Sequence, residues 1–152
     1  MFRGLSAVNL DAKGRLAIPT RFRDRLTEQG INQVVVTIDT ESPCLLLYPL
    51  PEWEVIEQKL ESLPSFNAAT RRIQRLLMGH ATDLELDANG RILLPQLLRE
   101  HALLTKTVML VGQGRKIEIW NDATWCDSRA QWLSEEAQAK TDLPSELQSL
   151  SL

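Results

Sequence analysis

The chain contains one fifteen-residue phrase twice, and this duplication constrains its fold more than any other feature. Residues 10–24 read LDAKGRLAIPTRFRD and residues 86–100 read LDANGRILLPQLLRE, an offset of 76 with seven identities in fifteen. Leu16/Ile92, Ile18/Leu94, Phe22/Leu98 and Asp24/Glu100 are conservative pairs. The likeness continues as a pattern. QVVVTID at 33–39 corresponds to TVMLVG at 107–112, and CLLLY at 44–48 to KIEIW at 116–120. Two copies of one unit therefore follow each other, at 5–52 and 81–124. A unit this small cannot bury its apolar face alone, so the copies must pack on each other or on other chains.

Each unit reads the same way. A strand leads into Asp-Ala-Lys-Gly or Asp-Ala-Asn-Gly, a set of residues that favours a tight turn. A short strand follows, Arg15–Ile18 or Arg91–Leu94, and Pro19 or Pro95 then opens a helix. Phe22 and Leu26, four apart, give that helix its apolar stripe. Two more strands complete the unit, joined by turns at Glu41-Ser42-Pro43 and Gly112-Gln113-Gly114. The connector at 53–80 is helical. Trp53, Ile56, Leu60 and Leu63 recur at helical spacing after Leu50-Pro51-Glu52, and Pro64-Ser65 breaks the run. A second helix is expected over Asn67–Met78, closed by Gly79. The segment 125–152 reads as a helix capped at Asn121 or Asp122 and running to about Ala139, followed by a polar, acidic tail.

Charge is distributed unevenly. Seventeen basic and twenty acidic residues leave a net −3. Residues 1–26 hold six basic residues (Arg3, Lys13, Arg15, Arg21, Arg23, Arg25) against Asp11 and Asp24, a net +4. Arg71, Arg72 and Arg75 form a second basic cluster. Residues 117–152 hold seven acids against Arg129 and Lys140, a net −5. A basic segment of this kind is the electrostatic footprint of a polyanion partner, provided the acids lie on a different face.

Asp-x-x-x-Arg occurs in both turns, as Asp11/Arg15 and Asp87/Arg91. Across a tight hairpin the carboxylate can hold the guanidinium in a bidentate pair. That pair either sets the turn or presents the arginine fork outward to phosphate or guanine; the two roles are compatible. Gly14 supplies the turn's conformational freedom, and Lys13 sits exposed at its tip. Arg21, Arg23 and Arg25 spread over more than one helix face. In the second unit Asn89 replaces Lys13, Leu97 replaces Arg21 and His101 replaces Arg25. Only Arg91 and Arg99 keep the charge, so the first unit is the expected working one.

Other classes find little support. No apolar run approaches the ~20 residues of a membrane helix, and no leader peptide is expected. Cys44 and Cys126 stand alone, which argues for buried thiols in a reducing cytosol rather than disulfides or zinc. His80 and His101 have no third ligand at metal spacing. No phosphate loop or nucleophile elbow is present. Neither an enzyme, a metal site nor a cofactor is expected.

The order NLDAKGRLAIPTRFR, CLLLYPLPEWE, RRIQRLLMGHA, LDANGRILLP and WNDATW resembles the MraZ family of bacterial regulators. The resemblance covers nearly all of the chain to about Trp125. It implies an α+β fold of two AbrB/SpoVT-type swapped-hairpin half-barrels forming one pseudo-dimeric β-barrel, joined and flanked by helices. It further implies a ring of eight or twelve subunits, cytoplasmic and nucleoid-associated. Such a ring binds double-stranded DNA at direct repeats upstream of its own gene and mostly represses the division and cell-wall cluster. Arg15 matches the DNA-contacting position of the family motif, with Lys13 beside it and Arg3, Arg21 and Arg23 as further contacts. Asp11, Gly14, Asp87 and Arg91 would orient the motifs. The rival reading is an oligomeric protein-binding scaffold, motivated by the acidic tail and Leu143, Leu147, Leu150 and Leu152.

Overall fold

A computed structural model describes residues 1–138 and 143–150. The end of the last long helix expected at Ala139, and Leu152 of the tail, lie outside the described residues. The chain divides into two units, Met1–Asp122 and Ala123–Leu152.

In the first unit, β1 (Phe2–Asn9) leads through the Asp11 turn into β2 (Arg15–Ala17), then helix α1 (Thr20–Glu28), β3 (Gln33–Ile38) and β4 (Leu45–Pro49). Helices α2 (Leu50–Glu61) and α3 (Ala68–His80) follow. The second repeat supplies β5 (Thr82–Glu85), β6 (Arg91–Leu93), α4 (Gln96–His101), β7 (Thr107–Gly114) and β8 (Ile117–Asn121). Helix α5 (Asp122–Gln138) and the short α6 (Ser145–Gln148) end the described chain. The polar tail thus contains one helical turn.

The strands form a six-stranded antiparallel sheet, β1-β7-β8-β4-β3-β5, and a two-stranded ribbon, β2-β6. The first strand of each repeat is exchanged. β1 of the first repeat pairs with β7 of the second, and β5 of the second pairs with β3 of the first. The register is symmetric between the copies: Val8 faces Val108 as its counterpart Leu84 faces Val34. At two places a residue meets its own counterpart, Leu16 opposite Ile92 in the ribbon and Leu46 opposite Glu118 between β4 and β8. A pseudo-twofold axis passes through both. This is the swapped-hairpin architecture that the family resemblance implied.

One core lies between the sheet and the ribbon. Leu16, Ile18, Ile92 and Leu94 from the ribbon and its exits pack with Phe22, Leu26 and Leu98 of the helices and with Val34, Val36, Leu45, Leu47, Val108, Leu110, Ile117 and Ile119 of the sheet. Val34–Ile38 is buried throughout because helices also cover the sheet's other face. There Trp53 of α2 packs on Tyr48 at 5.8 Å, and the Thr37 hydroxyl donates to the Leu77 carbonyl of α3 at 2.7 Å. A strand covered on both sides loses its alternation, and VVVTI is such a run.

Three sequence expectations shift. Gly79 lies inside α3; the helix ends where the chain turns extended at Ala81, since Thr82 must pair with Val36. Gly112 is within β7 rather than in a turn. It is glycine because β1 crosses so closely that a Cβ would sit 2.5 Å from the Arg3 amide nitrogen. Cys44 is buried as expected, but Cys126 is exposed on α5.

Candidate nucleic-acid interface

Each Asp-x-x-x-Arg turn is organised by its aspartate. Asp11 Oδ1 accepts from the amides of Lys13 (2.9 Å) and Arg15 (2.8 Å), and Oδ2 accepts from Arg15 Nε (2.8 Å). The Asp11 amide donates to the Arg15 carbonyl (2.9 Å) and the Gly14 amide to the Asp11 carbonyl (3.0 Å), closing the loop. Asp87 repeats the pattern with Asn89, Arg91 and Gly90 at 2.8–3.0 Å. An aspartate that bonds the amides two and four residues on is a turn former by mechanism. The same contacts stabilise its charged form: the Arg15 amide, then the Arg15 guanidinium and the Lys13 amide, hold the Asp11 carboxyl below the usual carboxylate range. The Arg91 amide does the same for Asp87, joined by the Asn89 amide and the Arg91 guanidinium. Gly14 (φ +88°) and Gly90 (φ +73°) occupy the left-handed region that glycine adopts freely.

The turns flank the ribbon, and the ribbon decides what they present. Leu16 and Ile92 point into the core; Arg15, Ala17, Arg91 and Leu93 alternate onto the outer face. Arg15 lies opposite Leu93, and Arg91 opposite Ala17. Arg15 and Arg91 are therefore diagonal neighbours on one face, about 7–8 Å apart. Each uses Nε for its aspartate, and neither Nη group makes a hydrogen bond among the described residues. The result is two pre-aimed forks on a two-stranded ribbon, with exposed Lys13 at one end and Asn89 at the other. From the sequence the second motif looked weaker; the pairing of β2 with β6 puts Arg91 on the same surface as Arg15.

The other sequence candidates lie elsewhere. Arg3 is at the far end of β1, opposite Gln113, eight residues of mostly extended chain from Asp11, or about 26 Å. Arg21 is tied down: Nη2 donates to the Leu5 carbonyl and the Ser6 hydroxyl, its guanidinium covers Gly4, and it stacks on the Phe22 ring at 5.1 Å. Arg23 donates to Thr20 Oγ1 at 3.0 Å and lies against Gly90, the turn of the other repeat. Its repeat counterpart Arg99 donates from Nε to the Leu94 carbonyl at 3.0 Å and lies against Gly14. The sequence signal for this exchange was the retention of arginine at 23 and 99 when the neighbouring cations were lost.

Among the described residues one group of side chains has metal-ligating chemistry. Asp39, Cys44 and Glu118 bring ligand atoms within 4.8 Å of one another. These atoms are already engaged: the Cys44 thiol donates to Asp39 Oδ2 at 3.6 Å, and Glu118 Oε1 accepts from Trp120 Nε1 at 3.0 Å and Gln113 Nε2 at 3.2 Å. Burial, with the Glu118 and Asp39 charges behind it, pushes the Cys44 thiol far up, away from the thiolate a metal needs. His80 donates from Nδ1 to the Leu76 carbonyl at 2.7 Å and caps its own helix, with the His101 ring 6.5 Å away.

Fold and site together define a tandem-repeat protein whose two copies exchange strands and jointly present Asp-oriented arginines on a β-ribbon. The family described as "MraZ protein, putative antitoxin-like" matches the chain twice, over residues 1–76 and 77–144. Similar proteins include the "Transcriptional regulator MraZ" of Legionella pneumophila strain Paris, 57% identical over the full 152 residues of both chains. Those of Coxiella burnetii strain RSA 493 and Shigella sonnei strain Ss046 are 58% and 55% identical, again over the whole of both chains. The chain belongs to the MraZ family.

Proposed function

We propose that this chain is a DNA-binding transcriptional regulator that engages double-stranded DNA with the outer face of the β2–β6 ribbon. The observation that carries the reading is the pair of aspartate-oriented arginines with free Nη groups on that face. The name its relatives carry, transcriptional regulator, supports it. A guanidinium fork pairs with guanine O6 and N7, and a two-stranded ribbon fits the major groove. The separation of about 7–8 Å between Arg15 and Arg91 spans about two base-pair steps of 3.4 Å. Arg15 reads a base edge, and Lys13 at the turn tip meets phosphate. Residues 5–52 and 81–124 act as the two repeats, 53–80 as their connector and 125–152 as an appended tail.

One ribbon makes few phosphate contacts, so affinity comes from repetition. A ring of eight or twelve copies engages direct repeats upstream of its own gene, each copy raising the effective concentration of the next. It represses that promoter and the division and cell-wall cluster, in the cytoplasm and at the nucleoid, without a cofactor or metal.

The test is fluorescence anisotropy with two duplexes of equal length, the DNA upstream of this gene and a scrambled control, titrated with salt. The expected result is a preference for the upstream duplex and a log–log salt slope of about −0.9 per phosphate contact. Arg15→Ala should keep its circular dichroism and lose roughly 5- to 150-fold in specific affinity, the worth of a bidentate base contact of about 1–3 kcal/mol. Intact affinity in Arg15→Ala refutes the site. Equal weak binding to both duplexes turns the reading to a protein-binding scaffold, for which exposed Trp132, Leu133, Leu143, Leu147 and Leu150 would be the docking residues.

A further inference from the structure

Arg23 and Arg99 each lie against a turn of the repeat to which they do not belong. A Cβ built on Gly14 would lie 2.8 Å from both Cζ and Nε of Arg99. One built on Gly90 would lie nearest Cδ of Arg23, with Nη1 at 2.5 Å and Nε at 2.8 Å. Both guanidinium groups therefore press on the left-handed glycine that precedes a motif arginine. The backbone clasps the same places: the Leu94 amide donates to the Gly14 carbonyl and the Ile18 amide to the Gly90 carbonyl, each at 2.9 Å.

Packing alone does not explain the residue type. Arg23 Nε is buried without a hydrogen-bond partner among the described residues, which a leucine would avoid. A guanidinium is planar and its fork pre-organised, so it can lie flat on the bare face of a glycine where a branched apolar side chain cannot.

We propose that Arg99 and Arg23 are positioning residues acting in trans, Arg99 holding the Asp11–Arg15 turn and Arg23 holding the Asp87–Arg91 turn. The inference rests on the DNA-binding reading for its consequence but not for its geometry. The two turns are unequal: the first carries Lys13 and the second Asn89. Loss of an arginine in the second repeat therefore disables the stronger hairpin of the first, and loss of Arg23 in the first repeat disturbs only the weaker hairpin of the second.

The experiment has two arms on the full chain. In hydrogen exchange by mass spectrometry, Arg99→Ala should accelerate exchange of peptides covering 10–16 and Arg23→Ala those covering 86–92. Arg99→Lys and Arg23→Lys, which keep charge and stem but lose the plane, should show the same crossed pattern more weakly, and they decide the matter where an alanine variant fails to fold. In anisotropy with the upstream duplex, Arg99→Ala should lose about tenfold or more, within the range of one forfeited base contact, and Arg23→Ala less than about threefold. Acceleration confined to each arginine's own repeat, or equal affinity losses, overturns the proposal. A wild-type chain with no duplex preference refutes the DNA-binding reading, while the crossed exchange pattern still decides the positioning role.

Discussion

Truncating Leu16 to alanine should destabilise both repeats equally, although Leu16 belongs to the first. It is 1% exposed at the centre of the ribbon, directly opposite Ile92, and faces a core drawn from both repeats. Removing a fully buried leucine side chain costs about 3–5 kcal/mol, of the 5–15 that a domain holds in total. For the 122 residues of the first unit, ~3 kcal/mol corresponds to a fall in melting temperature of about 12 °C, from ~2.1 cal/mol/K of unfolding entropy per residue. The assay is native-state hydrogen exchange. Amides of β3 and β7, strands of different repeats, should lose the same ~3 kcal/mol of protection, because β1 and β5 are exchanged and neither repeat keeps a complete sheet alone. Ile92→Ala should have a similar effect. The double variant should cost less than the sum, since the two side chains share one cavity. Loss of protection in β3 with β7 unchanged would refute the single shared core.

Three further outcomes follow from the geometry. Gly14→Ala and Gly30→Ala should each destabilise by about 1–2 kcal/mol in urea denaturation, the cost of an alanine in the left-handed region; at Gly14 the added carbon also displaces the movable end of the Arg99 side chain, while nothing lies within 4 Å of it at Gly30. Thiol titration of the native chain should count one fast cysteine, Cys126, and a second only on unfolding, because Cys44 is buried and its thiolate disfavoured. Asp11 and Asp87 have lowered folded pKa values, so their share of stability is present above the unfolded value of about 3.9 and is lost as pH falls through the lower folded value. The fold should therefore be flat in circular dichroism from pH 8 to 5, and Asp11→Asn with Asp87→Asn should shallow the acid limb below about pH 4.

Much of this was legible in the sequence because duplication writes a fold twice. The Asp and Gly of each turn, the prolines before α1 and α4, and the apolar runs at 33–38 and 107–111 read correctly, since each is a local preference. What the local signals did not disclose is which strands pair across the repeats, and in what register. Nothing local says that β2 lies beside β6, so Arg91 looked peripheral until its register against Ala17 placed it beside Arg15. Arg23 was grouped with Lys13 as a DNA-contacting cation, and nothing in composition shows that it lies against Gly90 of the other repeat. Gly112 was misread for a related reason: a turn and a close strand crossing both exclude a Cβ, and only the position of β1 tells them apart.

The unlike ends of the ribbon have one more consequence. A homodimer of a single such unit would have two identical halves, since a twofold axis obliges each end to repeat the other. Held in one chain, the copies were free to drift, and they did so where it shows: lysine at one tip, asparagine at the other. A strip with distinguishable ends has a heading. Laid across any linear polymer, it has a right and a wrong way round, and copies of it side by side can all face the same direction.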